Sequence, residues 1–223
     1  MGWAVNRRAG NRSAAFSLIE MIAVIAILVI LMTAGIALLG GTGAQSRKAG
    51  TDMLIGLIEQ ARSTAITSRS TVVLAISEPG DLYKGGSQVT SNENVCRVGM
   101  FKVVTWDPTT KMTGSLLKRW QSLNSGLVMN TGRVDGFENP MDSAKVEIAY
   151  GTQGYSVKGN LIAIDSRGRL LYPAATSAPI IIRLAEGGYR GSPLKASVNK
   201  GKGGITENVL KIGRAIARPY RLD

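Results

Sequence analysis

The longest apolar run of the chain extends from Met21 to Leu39. It belongs to a stretch, Phe16–Leu39, in which Glu20 is the only charged side chain. A helix rises about 1.5 Å per residue, so this stretch is long enough to cross a hydrocarbon layer of roughly 30 Å. The residues before it carry three arginines and no acid, at Arg7, Arg8 and Arg12. The pattern predicts a membrane helix over residues 16–39 with a cytoplasmic N-terminus and all later residues on the far side.

A second helical pattern follows three glycines between residues 40 and 43. Its apolar positions recur at steps of three and four residues, and they are Met53, Leu54, Leu57, Ile58, Ala61, Ala65 and Ile66. Charged side chains occupy the intervening positions. The spacing predicts an amphipathic helix over about residues 40–70 whose single apolar stripe packs on a sheet.

From Thr71 onward the pattern becomes that of short strands separated by turn residues. The predicted strands are Thr71–Ser77, Val95–Trp106, Ser115–Leu123, Leu127–Asn130, Lys145–Tyr150, Asn160–Asp165, Arg169–Tyr172, Pro179–Ala185, Glu207–Ile212 and Ala215–Tyr220. Tyr83–Asn94, Thr131–Ser143 and Gly187–Gly204 are predicted to be loops, because glycine and polar residues dominate them.

Helices first and strands afterwards predict an α+β fold. We expect one long N-terminal helix, half in the membrane and half amphipathic, packed on an antiparallel two-sheet β domain. The corresponding segments are a basic leader (1–15), a transmembrane and assembly helix (16–39), an amphipathic helix (40–70) and a β-rich domain (71–223).

Three interpretations of the N-terminal stretch differ in how they account for Glu20. A secretory signal has an apolar core of about 7–15 residues, shorter than this run, although Thr42-Gly43-Ala44 would serve as a cleavage site. A plain membrane anchor explains the length but leaves the carboxylate unexplained, and a charge at mid-membrane costs about 2.5–3.5 kcal/mol. The third interpretation gives that carboxylate a function in assembly.

The third interpretation rests on a resemblance. Ala15-Phe16-Ser17-Leu18-Ile19-Glu20 resembles the processing site of the type IV prepilin family, which includes the pseudopilins of type II secretion. The resemblance implies cleavage between Ala15 and Phe16 and N-methylation of Phe16. Ala15 departs from the family, which prefers glycine there. The new amine on Phe16 is a cation that Glu20 of a neighbouring helix can pair with, and this pairing would set the register of a filament.

Several later segments are similar, in order, to the minor pseudopilin H and FimT branch of that family. They are Ala61-Arg62-Ser63-Thr64-Ala65-Ile66, Trp120-Gln121-Ser122-Leu123, Ile164-Asp165-Ser166-Arg167-Gly168 and Ile212-Gly213-Arg214-Ala215. The resemblance implies a two-sheet β fold on the second half of a long pilin helix, in which the segments 131–144 and 187–204 are additions.

The C-terminal cations allow a second hypothesis. Some FimT-like pilins bind DNA through a Gly-Arg-x-Arg turn, and here Gly213-Arg214 is followed by Ile216 and then Arg218. Lys211, Arg214 and Arg218 are therefore candidate anion- or DNA-binding residues, and phosphate contacts require only flexible cations. A structural Gly-Arg turn is the alternative.

The amino-acid composition excludes several kinds of metal and catalytic site. The chain has no histidine and one cysteine, Cys96, so a zinc site of Cys and His ligands and a catalytic triad with an imidazole base are excluded. An intrachain disulfide is excluded as well, and we expect Cys96 to be buried. The net charge of +12 is consistent with anionic partners and equally with a well-solvated basic surface. We expect no enzyme activity, no cofactor and no metal.

The sequence thus predicts a minor pilin or pseudopilin subunit of a type II secretion or type IV pilus-like filament, with a structural role in assembly. The implied partners are a prepilin peptidase that also methylates, other pilins or pseudopilins, and an inner-membrane assembly platform with its ATPase. The implied location is the inner membrane, held by residues 16–39, and then a periplasmic filament. The alternatives are a DNA-binding minor pilin and a membrane-anchored periplasmic domain that does not polymerise.

Overall fold

A computed structural model describes residues 18–39, 42–89, 94–109, 111–173, 178–201 and 203–222. The predicted cleavage and methylation sites at Ala15 and Phe16 lie outside these residues. Helix α1 runs over Leu18–Leu39 and helix α2 over Thr42–Ser68. The chain divides into two compact units, Met1–Thr42 and Gly43–Asp223. The first contains α1, and the second contains the rest of the described elements.

Sixteen strands follow α2 in the described part of the chain. They are β1 (Thr71–Ser77), β2 (Leu82–Lys84), β3 (Ser87–Gln88), β4 (Arg97–Val103), β5 (Met112–Leu116), β6 (Gln121–Ser122), β7 (Leu127–Met129), β8 (Val146–Tyr150), β9 (Tyr155–Ile164), β10 (Leu170–Tyr172), β11 (Ile180–Arg190), β12 (Lys195–Val198), β13 (Lys200–Gly201), β14 (Gly204–Ile205), β15 (Glu207–Ile212) and β16 (Pro219–Leu222). A 3-10 turn, Pro140–Asp142, lies between β7 and β8.

Five of these strands close into a barrel. Strand β1 pairs with both β4 and β9, so that Leu74 lies opposite Met100 on one side and Ile162 on the other. The ring continues from β4 to β5, from β5 to β8 and from β8 to β9. Every pair in the ring is antiparallel except β5 with β8, which is parallel. Closure leaves β1 with no free edge.

Alternate residues of β1 divide between two hydrophobic cores. Val73 and Ala75 join a buried cluster drawn from the barrel strands, which includes Phe101 and Leu161. Val72, Leu74 and Ile76 join a second cluster, which contains the buried stripe of α2 (Leu54, Leu57, Ile58, Ala61 and Ala65) and residues of the second sheet (Ile180, Ile182 and Leu184). The barrel therefore has its own interior, and α2 and the second sheet cover its outer surface.

The second sheet has the order β12-β11-β15-β16, with β7 also paired to β11. Strand β11 pairs with β15 over Ile180–Ala185 and with β12 over Gly187–Arg190. A side chain at Gly187 would meet the carbonyl oxygen of Ser197 on β12, so glycine permits this close approach. The small hairpin β13–β14 extends from the same region.

The predicted fold class is wrong in three respects. The helical part consists of two helices, and α1 lies outside the unit that holds the strands. The second unit is predominantly β, and its main sheet is a closed five-stranded barrel rather than one layer of a two-sheet domain. The parallel β5–β8 pair also contradicts a purely antiparallel arrangement. Alternation along a strand indicates which residues face a core, but it carries no information about which strands pair.

Two loop predictions also fail. Segment 187–204 is not a loop, because it contains the end of β11 and strands β12 and β13. The loop predicted at Tyr83–Asn94 contains most of β2 and all of β3. The stretch predicted as the strand Ala215–Tyr220 is mostly a turn, and the strand β16 begins only at Pro219.

Candidate functional site

The N-terminal candidate site lies on α1. Glu20 is in the first turn of this helix and is exposed. The large apolar side chains from residue 18 to residue 28 are exposed as well, and Leu18 is 80% exposed. Contiguous apolar surface of this kind marks an interaction site. Among the residues whose side chains are described, no helix has both the length and the apolarity required to cross a membrane.

The C-terminal candidate Arg214 lies in the loop between β15 and β16. Its Nε donates to the carbonyl oxygen of Ala178 and its Nη1 to that of Pro173, at 2.5 and 2.7 Å. Its Nη2 donates to Glu138 Oε2, and the two side chains are only 19% and 12% exposed. The guanidinium is therefore engaged on all three nitrogens by this chain.

The other two predicted cations lie on either side of Arg214. Lys211 Nζ, on β15, lies 5.2 Å from the ring centre of Phe137 and 5.7 Å from that of Tyr220. Arg218 is 76% exposed, and its Nε lies 3.8 Å from Glu59 Oε1 on α2. Anion binding by these residues is still a prediction. Arg218 is more accessible than Lys211, and the guanidinium of Arg214 is already hydrogen-bonded within the chain.

The tertiary structure forms a cleft beside the turn after β1 that no sequence pattern predicts. The cleft has a volume of about 880 Å³, and its lining includes Glu78, Asp81 and Lys145. Lys145 Nζ donates to Glu78 Oε2 and to both carboxylate oxygens of Asp81, each at 2.9 Å. Glu78 and Asp81 flank a Pro-Gly turn, whereas Lys145 is more than sixty residues away. Only strand pairing brings the three together.

Burial sets the protonation behaviour of this cluster. Burial raises the pKa of the Asp81 carboxyl, outweighing its hydrogen bonds to Lys145. Burial also acts to lower the pKa of Lys145, but the hydrogen bonds to Asp81 and Glu78 outweigh it and raise that pKa. Lys145 therefore stays cationic and bridges the side chains of Glu78 and Asp81.

Cys96 is free and fully buried, as predicted. Burial raises the pKa of its thiol to about 12, so it is protonated at neutral pH and is a poor nucleophile. In the part of the chain that the structure describes, no three His, Cys, Asp or Glu side chains are grouped so that they could hold a metal ion.

Comparison with known proteins gives one match. Residues 10–36 match the family model of the prokaryotic N-terminal methylation motif. No curated protein and no solved structure gave a significant match to the chain. The matched range contains Ala15, Phe16 and Glu20, and it ends within α1. This motif indicates a type IV pilin-like or pseudopilin substrate of a prepilin peptidase.

Proposed function

We propose that this protein is a minor pilin-like or pseudopilin subunit with a structural role in a type II secretion or type IV pilus-like filament. Prepilin peptidase cuts it between Ala15 and Phe16 and methylates the new N-terminus. The segment 16–39 holds it in the inner membrane before assembly, and the β-rich unit lies in the periplasm. Its partners are other subunits of the filament and the assembly platform with its ATPase.

A single observation carries the proposal: three features coincide in one segment. Residues 10–36 match the methylation motif, the described side chains of α1 expose a continuous apolar surface, and Glu20 is the acidic residue in the first turn of that helix. Exposing an apolar helix surface to water is unfavourable in free energy, and the helix is stabilised when other helices cover that surface. The minor pseudopilin H and FimT branch is part of the proposal and rests on the sequence segments alone.

The test is the intact mass and N-terminal residue of the protein isolated from its native membrane. The proposal expects a chain that begins with N-methylated Phe16. Ala15→Leu should block this cleavage, because a bulky side chain replaces a small one at the cut. The matched control is Ala44→Leu, which alters the alternative cleavage site and should leave the Phe16 start unchanged.

Two outcomes would contradict the proposal. A start at Gln45, abolished by Ala44→Leu, would mean ordinary secretion of a soluble domain. A chain that keeps Met1 and enters no filament would mean a membrane-anchored domain that does not polymerise. A Phe16 start without N-methylation would contradict the methylation step alone.

A further inference from the structure

Two cations lie directly opposite each other at the tip of the β11–β12 hairpin. Arg190 is the register partner of Lys195, and both residues are exposed. Residues opposite each other on antiparallel strands place their side chains on the same face, with Cβ atoms about 5 Å apart. Like charges in that position destabilise a hairpin.

No residue that the structure describes compensates the repulsion. Among the described residues, neither side chain has a hydrogen bond or ion pair, and the sequence from Gly187 to Thr206 contains no acid. Several other cations of the domain pair with this chain's own carboxylates, as Arg183 does with Glu207 at 2.6 Å. A like-charge pair that no nearby carboxylate neutralises lowers stability, and such a pair is typical of a site that serves function.

The tip borders the cleft that contains Lys145. Lys195 lines this cleft together with the apolar rings and side chains of Tyr83, Pro193 and Leu194, while Asp81 and Lys145 form its polar part. A volume of about 880 Å³ is within the usual range of ligand pockets. The site therefore offers two unneutralised cations beside a groove of mixed polarity.

We infer that the tip and the cleft dock an acidic segment of another protein, in which acidic side chains alternate with apolar ones. The acidic side chains reach Arg190 and Lys195, and the apolar ones lie against Tyr83 and Leu194. A nucleic acid or a phosphate-rich surface is the poorer fit, because a continuous row of phosphates would pass Glu78 and Asp81 in the cleft, whereas spaced acidic side chains can stay beside Arg190 and Lys195 at the tip. This inference does not depend on cleavage or filament assembly.

The test uses the full chain in a neutral detergent and two labelled octapeptides, one alternating Glu with Leu and the other alternating Gln with Leu. Fluorescence anisotropy should show tighter binding of the Glu peptide, weakened by added salt. The double variant Arg190→Gln/Lys195→Gln should bind that peptide about tenfold more weakly. Its melting temperature should be equal or higher, because the like-charge pair has been removed.

The matched control is Lys48→Gln/Arg119→Gln, which removes the same charge from exposed positions elsewhere. This control should bind as the wild type does. Failure of the wild type to prefer the Glu peptide would overturn the inference, as would equal losses in the two double variants. Tighter binding of single-stranded DNA or of phosphatidylglycerol vesicles through Arg190 and Lys195 would also overturn it and would assign the tip to phosphates.

Discussion

Arg214 Nη2 donates to Glu138 Oε2, and this ion pair joins the last loop of the chain to the segment between β7 and β8. The backbone of Glu138 is itself bonded to the second sheet, since its N–H donates to Pro179 O at 3.0 Å and its carbonyl accepts from Ile181 N at 2.8 Å. The arginine that resembled a DNA-binding residue thus fixes an irregular segment of the chain against β11.

Arg214→Ala should therefore destabilise the fold. Removing one partner of a mostly buried pair leaves the other charge uncompensated, and we expect a loss of about 3 kcal/mol in the free energy of unfolding, measured by urea denaturation. Glu138 Oε1 is already buried with no hydrogen-bond partner among the described residues, so no other described group is placed to replace Arg214.

The control for this change is Arg218→Ala. Arg218 is 76% exposed and its partner is 3.8 Å away, so its loss should cost less than about 0.5 kcal/mol. The double change Arg214→Met/Glu138→Leu should recover much of the stability lost in Arg214→Ala. Unchanged stability of Arg214→Ala, combined with weaker DNA binding, would contradict the structural role.

Glu20→Gln should leave processing at Phe16 intact but strongly reduce incorporation into the filament. The amide keeps the size of the side chain and removes the charge that would pair with a neighbouring amine. The measurement is the share of the subunit recovered with sheared or cross-linked filaments. Met21→Leu, an apolar exchange on the same turn, should incorporate normally, and equal incorporation of both variants would remove the argument for Glu20.

Gly159→Ala should destabilise the barrel. An added Cβ at Gly159 would lie 2.6 Å from the carbonyl oxygen of Ile76 on β1, so one of the two strands must move. Changes that overpack an interior cost about 1–3 kcal/mol, and we expect a loss in that range by thermal or urea unfolding.

Gly188→Ala is the matched control for this glycine. Gly188 also lies in a strand, and its added Cβ would meet nothing within 4 Å. The stability of this variant should stay within about 0.5 kcal/mol of the wild type. Equal effects of the two alanines would show that the contact between β9 and β1 is not what requires glycine.

Protonation of Asp165 should make the fold less stable in acid. Its Oδ1 accepts from the backbone N–H groups of Arg167 and Arg169, each at 2.9 Å. Burial acts to raise the pKa of this carboxyl, but these bonds and the Arg169 guanidinium outweigh it and lower the pKa. The stabilisation is therefore complete above the ordinary value of about 3.9 and is lost as the pH falls through the lower, folded value.

Asp165→Asn tests this, because the amide keeps an acceptor oxygen and loses the charge. The wild type should be more stable by about 1 kcal/mol near pH 7, and the difference should shrink as the pH falls below the ordinary carboxyl value and through the lower, folded one. Arg169→Gln, which removes only the side-chain bond to Oδ2 at 3.1 Å, should have a smaller effect. A difference that grows in acid would contradict the sign of the shift.

Strand positions were largely readable from local pattern. Thr71–Ser77 is β1 residue for residue, because a run of β-branched and apolar side chains stops at a Pro-Gly turn. The buried stripe of α2 is the predicted one except for Met53, which is half-buried, and Ile66, which is 43% exposed at the end of the helix. Strands β12 to β14 were missed because they are short and lie in a segment rich in glycine and lysine. Strand β12 is defined by its pairing with β11, and β13 pairs with β14.

Some of the candidate sites can be predicted from local sequence, and the others form only when the strands pair. Ala15, Phe16 and Glu20 lie in one short segment, so the local sequence was enough to propose them, and the methylation-motif match covers that segment. The cluster of Lys145, Glu78 and Asp81 and the opposed cations Arg190 and Lys195 have no local signature. Each depends on which strands pair.

The sequence by itself was enough to predict a processing and methylation motif at residues 15–20, because that motif is read in a linear segment by residue type and spacing. It also predicted most of the buried stripe of α2, because the periodicity of side chains is a local property. Only the tertiary structure decided that β1 would close a barrel between β4 and β9 and that Arg214 would pair with Glu138. Both join residues far apart in the chain, and the free energy of such contacts exists only once the whole domain has folded.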